Sequence, residues 1–279
     1  MPSTNPLANH FRRAQIHFRL PSGGKYWTEG SLDLPVTGEI PIFPMTNGDE
    51  ITLKTPDALM NGSGLVDIIQ SCCPNIVDAW KMPSVDVDAL LIAIRIASYG
   101  QTMEIKGVCP HCGEDHEYDI DLAVINDQVR CPDYSEHVKF DDLSIKLRPL
   151  LYFDRTQSDL TNYEEAQIAK TLNDPSLDAD SKNDIIKESM RRILALSEKQ
   201  RVDSTEYIML PDGQKVSNPE HISEFYQKAS GKVTKLISKK LEKFAKDGAV
   251  PMIKLACTNE DCKKSYSIPL EFDYSRFFA

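Results

Sequence analysis

Two pairs of cysteines constrain this chain more than any other feature. Cys109 and Cys112 are separated by two residues in Val108-Cys-Pro-His-Cys-Gly113, and Cys257 and Cys262 by four in Ala256-Cys-Thr-Asn-Glu-Asp-Cys262. Each pair follows a strand-like stretch and precedes an alternating one of the form Tyr-x-Ile-x-Leu: Tyr118 to Leu122 in the first case, Tyr266 to Leu270 in the second. Both therefore read as hairpins with cysteines at the turn. Two such turns facing each other supply the four thiolates that a structural zinc takes in tetrahedral geometry. The expectation is one zinc site made by Cys109, Cys112, Cys257 and Cys262.

The pairs are separated by 144 intervening residues, so the cost of closure has to be weighed. Loop entropy rises by about 0.6 kcal/mol per doubling of length, which against a short zinc-finger loop adds roughly 2 kcal/mol. Structural zinc contributes about 10–16 kcal/mol in finger peptides, and the metal term wins. The residues between the pairs can then leave the site and return to it. Two readings compete. The four cysteines could be ordinary reduced thiols, or a local site could form from Cys109, Cys112, His116 and Cys131. A thiol–disulfide pair at 109 and 112 would want a βαβ context, which the flanking sequence lacks. Four thiolates leave no open position for water, so a catalytic zinc is not expected.

The remaining cysteines, Cys72, Cys73 and Cys131, have no disulfide-scaffold spacing, and the pattern as a whole suits a reducing compartment. The amino terminus lacks a charged-then-apolar leader, and no run reaches membrane-spanning length. The net charge of −10 on 279 residues argues against a nucleic-acid binder, whose affinity comes mainly from cationic contacts to phosphate.

Patterning predicts an α+β protein. The first 55 residues or so read as a small β unit, with short strands at 14–20, 26–34, 39–43 and 50–53 separated by Pro/Gly turns. Thr55-Pro56 reads as the start of a short helix, and a second helix carries Leu65, Ile68, Ile69 and Cys72. A helix over 85–99, capped by Ser84 and stopped by Gly100, is apolar almost all round and should be the buried spine. Its one cation, Arg95, is expected to pair with an acid at the core edge.

Residues 138–140 and 143–147 form a strand pair. From about 153 the chain turns helical, with a capping box at Thr161 to Glu164 and a break at Asp174-Pro175. A helix over 182–199 is expected to pack Ile185, Ile186, Met190, Ile193, Leu194 and Leu196 inward. After a hairpin turning at Pro211-Asp-Gly213, one long helix is expected from Asn218 to Gly248. It carries an apolar stripe and, beside it, Lys232, Lys235, Lys239, Lys243 and Lys246, a solvated face or an electrostatic dock for an acidic partner. The aromatic tail, Phe272 to Phe278, should dock on its own domain or on a neighbour. The domains expected are a β-rich platform at 1–150 plus 249–279, holding a zinc-ribbon-like site of four cysteines, and a mainly helical insertion at 151–248.

The sequence has no phosphate-binding loop, dinucleotide fingerprint, nucleophile elbow or zinc-protease motif, and no catalytic residues are assigned. The order Arg19-Leu-Pro-Ser-Gly-Gly24, Pro44-Met-Thr46, Asp49-Glu50, then 89–100 with Ile94-Arg-Ile96, then Cys109-Pro-His-Cys-Gly113 resembles the T4-type bacteriophage baseplate protein family. The resemblance covers 14–125, the terminal cysteine pair and Phe277-Phe278, but not the helical stretch at 153–248. It implies a non-enzymatic tail-morphogenesis protein, a baseplate hub subunit or hub assembly protein. Such a protein would work in the host cytoplasm, with retention in the virion baseplate open. Its partners would be other tail or baseplate proteins, with the tape-measure protein as a client in the chaperone reading. A zinc-ribbon adaptor to nucleic acid or transcription machinery is the alternative from another class.

Overall fold

The computed structural model describes residues 5, 7, 10–55, 61–172, 178–270, 272 and 277–278. The chain is mixed helix and sheet, as its patterning predicts. It divides into two compact units, one of 1–79, 85–131 and 249–279, the other of 80–84 and 132–248. Residues 132–150, expected in the platform, belong to the second unit, because their two strands pair with a third that follows the helices. The helix expected from Pro56, the break at Asp174-Pro175 and the middle of the aromatic tail fall outside the described residues.

In the first unit, β1 (Ile16–Phe18) pairs antiparallel with β2 (Ile40–Ile42). Two of the expected strands are absent from the described residues. Residues 26–34 form turns, with Tyr26 at φ 67° and a single bridge from Leu32 to Ile76. Residues 50–53 lie in a helix, α1 (Asn47–Leu53). Its start is a capping box: the Thr46 side chain accepts from the Asp49 amide, and the Asp49 carboxylate accepts from the Thr46 amide. Two orphan amides are satisfied at once, so Asn47-Gly48 opens a helix.

Next come α2 (Ser63–Cys72) and α3 (Ser84–Tyr99), the buried spine. Leu90, Ile92, Ala93 and Ile94 are each 0% exposed, covering every side of the helix. Each leucine or isoleucine buried this way stabilises by about 1.5–3 kcal/mol. Gly100, at φ 90°, ends the helix in a conformation other residues resist. Beyond it the chain forms a hairpin of β3 (Thr102–Val108) and β4 (Asp115–Asp121).

Asp86, buried in the first turn of the spine, accepts from the Ser22 amide (2.8 Å), the Ser22 hydroxyl (2.5 Å) and Trp27 Nε1 (2.9 Å). These bonds tie the loop at 22–27 to the spine. Arg95 finds different partners from the acid expected of it: its Nε donates to the Phe277 carbonyl at 2.8 Å, and its guanidinium lies over the Tyr99 ring. Phe277 and Phe278 are both buried, so these two residues of the tail dock on their own unit. Cys72 and Cys73 are 0% exposed, and burial pushes the Cys72 thiol up to about 12. They are core packing, not reactive groups.

The second unit is built on an antiparallel meander: β5 (His137–Phe140), β6 (Leu143–Leu147), β7 (Thr205–Met209) and β8 (Lys215–Val216), in that order. A helical hairpin is inserted between β6 and β7. Its first arm runs unbroken from Tyr152 to Thr171, so Thr161 lies inside it and donates back to the Gln157 carbonyl instead of capping. The second arm, Ala179–Asp203, is capped by Asp178 and has no buried residue. The expected inward packing of its hydrophobes is therefore overturned. The seam between the arms is polar: Glu165 binds Ser189 and Arg192, and Lys199 reaches Asp154 at 3.1 Å. Ile185 and Leu196 are half-buried, whereas Ile186, Ile193, Met190 (60%) and Leu194 (69%) are exposed.

The long helix expected from 218 to 248 is two helices, Pro219–Lys228 and Gly231–Asp247. Ala229 is extended, and the Ser230 side chain accepts from the Lys232 amide to cap the second helix. A local cap here competes with continuation. Phe244 of the second helix meets Tyr134 in a tilted ring contact, centroids 4.2 Å apart.

Candidate metal centre

Both cysteine pairs sit on hairpins of the first unit. β3 pairs with β4, and β9 (Ile253–Ala256) pairs with β10 (Ser265–Ile268). The turns are built alike. The Cys109 amide donates to the Glu114 carbonyl and the Cys257 amide to the Lys264 carbonyl, closing each hairpin just past its strands. The residue after the second cysteine is left-handed in both, Gly113 at φ 77° and Lys263 at φ 49°. That reversal brings the two thiols of each turn to one side.

The hairpins also touch below the turns. Tyr118 and Tyr266, the matching tyrosines of the two Tyr-x-Ile-x-Leu stretches, meet edge to face with hydroxyls 3.1 Å apart. A Cβ on Gly107 would lie 3.2 Å from the Tyr266 hydroxyl and 3.5 Å from Ile268 Cδ1. Glycine at this position lets the second hairpin approach the first closely.

The result is one cluster. The sulphurs of Cys109, Cys112, Cys257 and Cys262 all lie within 4.8 Å of one another. Two of the cross-hairpin separations are 3.9 Å (Cys109 to Cys262) and 3.6 Å (Cys112 to Cys257). Metal–sulphur bonds of about 2.3 Å at tetrahedral angles set sulphurs about 3.8 Å apart, so the spacing fits a metal. It is far too long for a disulfide, and all seven cysteines are free.

Electrostatics point the same way. Burial opposes the Cys109 thiolate, but amide donors from His111 and Cys112 outweigh it and bring the thiol down to about 7. Burial and the neighbouring sulphurs hold Cys257 up at about 12. Four thiolates this close cannot all ionise unless a cation lies among them.

His116 is in neither pair, yet it reaches the cluster. Its Nε2 lies 3.2 Å from the Cys257 sulphur and its Nδ1 lies 2.7 Å from the Thr258 hydroxyl. With the Thr258 hydroxyl donating to Nδ1, Nε2–H donates to the sulphur. The ring then orients a ligand from outside the sphere through one N–H···S hydrogen bond. The local alternative site is reproduced only in part: Cys112, Glu114 and His116 form a second possible ligand group, and Cys131 joins neither. Position 116 stood out in the sequence only as a rival ligand. The Gly107 contact carried no local signal, because its cause lies on the other hairpin.

Fold and site together define an α+β protein whose chain is drawn together at a four-sulphur centre able to hold a metal ion. The sequence profile of the T4 bacteriophage base plate protein family matches residues 13–279, and the chain belongs to that family. The match takes in the helical stretch at 153–248, which lies outside the motifs that carry the resemblance. No curated protein and no solved structure is a match to the chain. Among the described residues no helix is long and apolar enough to cross a membrane.

Proposed function

We propose that this chain is a non-enzymatic tail-morphogenesis protein, a baseplate hub subunit or hub assembly factor, that acts through contacts with other tail proteins and is held in shape by one structural zinc. The observation that carries the reading is the family match over 13–279, which spans the whole sulphur cluster. Cys109, Cys112, Cys257 and Cys262 would hold the ion. Zinc bound by four thiolates supplies cross-linking rather than catalysis, because no position is left for a substrate. The chain's own residues do the rest: the amides at 111 and 112 favour thiolate, His116 orients Cys257, and Gly107 admits the second hairpin.

The structural-subunit role is preferred, with assembly in the host cytoplasm and the baseplate of the virion as final location. The exposed hydrophobes at 186, 190, 193 and 194 support the second reading, an assembly chaperone that grips a helical client such as the tape-measure protein and then leaves. A zinc-ribbon adaptor to nucleic acid is disfavoured by the net charge of −10. Quantitative mass spectrometry of purified particles tests the proposal. A stoichiometric amount with the baseplate is expected of a subunit. Loss from particles with capture on baseplate intermediates would mark the assembly factor. Absence from both would overturn the tail assignment.

A further inference from the structure

The helix Gly231–Asp247 carries Lys232, Lys235, Lys239, Lys243 and Lys246, all exposed. Val233, Ile237 and Phe244 are buried on its other side. At 3.6 residues per turn the five lysines form one straight ridge about 21 Å long. Like charges three and four residues apart repel and weaken a helix. A sixth lysine, Lys240, lies off the ridge and pairs with Glu136 at 3.2 Å.

A second surface mirrors this one. The outward row of the β3–β4 hairpin presents Glu104, Asp115, Glu117, Asp119 and Asp121, all exposed. Glu104 stands directly opposite Asp119 in the register, an arrangement that weakens a sheet. Lys106 lies in the same row and pairs with Glu117 at 2.7 Å. From Asp115 to Asp121 the ribbon is about 20 Å long.

We propose that ribbon and ridge are the two halves of one interface, the acidic hairpin of one copy docking along the lysine ridge of a second copy. The surfaces have opposite sign and equal length, and the like charges left in each, offset in part by Glu242 on the helix and Lys106 on the ribbon, gain partners when the two meet. Because the patches differ, the contact is head-to-tail and builds a ring if the rotation closes, a filament if it does not. Duplex nucleic acid is the rival acidic occupant; the net charge of −10 opposes it as it opposes a second copy, and the ribbon is preferred because it matches the ridge in length. The proposal does not depend on the hub assignment.

Sedimentation of the full chain tests it. Self-association is expected at about 20 mM salt and should be at least about tenfold weaker at about 300 mM. A K235E/K239E/K243E variant and an E104K/D119K variant should each be monomeric, and an equimolar mixture should associate again. Both variants alter exposed positions, and unchanged circular dichroism verifies their folding. A wild-type chain that stays monomeric at low salt overturns the proposal, as does association that survives both sets of reversals. Capture of a short DNA duplex by the ridge without self-association also overturns it, assigning the lysines to phosphate.

Discussion

Cys112 and Cys257 are 145 positions apart in the chain, and their sulphurs lie 3.6 Å apart. The contact joins the first cysteine turn to a segment that returns only after residues 132–248 of the second unit have been traversed. A metal held at this point would close the first unit, which is assembled from three stretches of chain. A two-stranded hairpin is marginal alone, and the one at 253–268 is held on the first by the Tyr118–Tyr266 contact and the close approach at Gly107, to which a metal would add a cross-link at the turn.

His116 is assigned outside the coordination sphere, and that assignment has a measurable consequence. A His116→Ala variant should keep one metal ion per chain but bind it roughly 10–100-fold more weakly. Chelator competition reads this directly. Complete loss of the ion on substitution would make the imidazole a ligand in place of a cysteine.

Asp86 gives stability a pH dependence of defined sign. Burial raises its carboxyl to about 6 from 3.8, against the opposing hydrogen bonds from Ser22 and Trp27. A group whose folded pKa is raised contributes stability below the unfolded value and loses it as pH climbs through the folded one. The stability of wild type relative to Asp86→Asn should thus fall by on the order of 3 kcal/mol between about pH 4 and about pH 7. Denaturant unfolding across that range measures it, and a difference independent of pH would refute the assignment.

The carboxy-terminal anchor rests on one ring and one carbonyl. Phe277 is 0% exposed, and its carbonyl accepts from Arg95 at 2.8 Å. Phe277→Ala should cost about 3–5 kcal/mol by equilibrium unfolding. A cost below about 1 kcal/mol would place the tail outside the core.

The outer face of the helix Ala179–Asp203 makes the opposite prediction. Met190 and Leu194 are 60% and 69% exposed, so Met190→Ser and Leu194→Ser should each change the stability of the isolated chain by no more than about 0.5 kcal/mol. Were these side chains packed inward, each loss would cost several times that.

What the sequence revealed depended on how local the cause was. The cysteine turns were legible because ligand spacing, the glycine at 113 and the repeated Tyr-x-Ile-x-Leu all act within a few residues. The spine helix was legible because its apolar run leaves no polar side. The strand expected at 50–53 failed through a local signal given too little weight, the Thr46/Asp49 box. The break at 229–230 was masked because the apolar period continues across it, and the local marks of the restart are the Ser230 cap and Gly231, a weak helix former. The inward packing of Ile186, Met190, Ile193 and Leu194 failed for a distant reason. Periodicity gives a stripe but not the side it faces, and the side was set by Glu165 meeting Ser189 and Arg192 from the other arm. Gly107 and His116 likewise take their roles from the second hairpin, far along the chain.

The most direct test is the metal itself. X-ray absorption at the zinc edge, with elemental analysis of the purified chain, should find one zinc per polypeptide surrounded by four sulphurs at about 2.3 Å. Mutation of either Cys112 or Cys257 to serine should remove that signature. A metal-free chain with four freely titrating thiols at 109, 112, 257 and 262, folded as stably as before, would contradict the account.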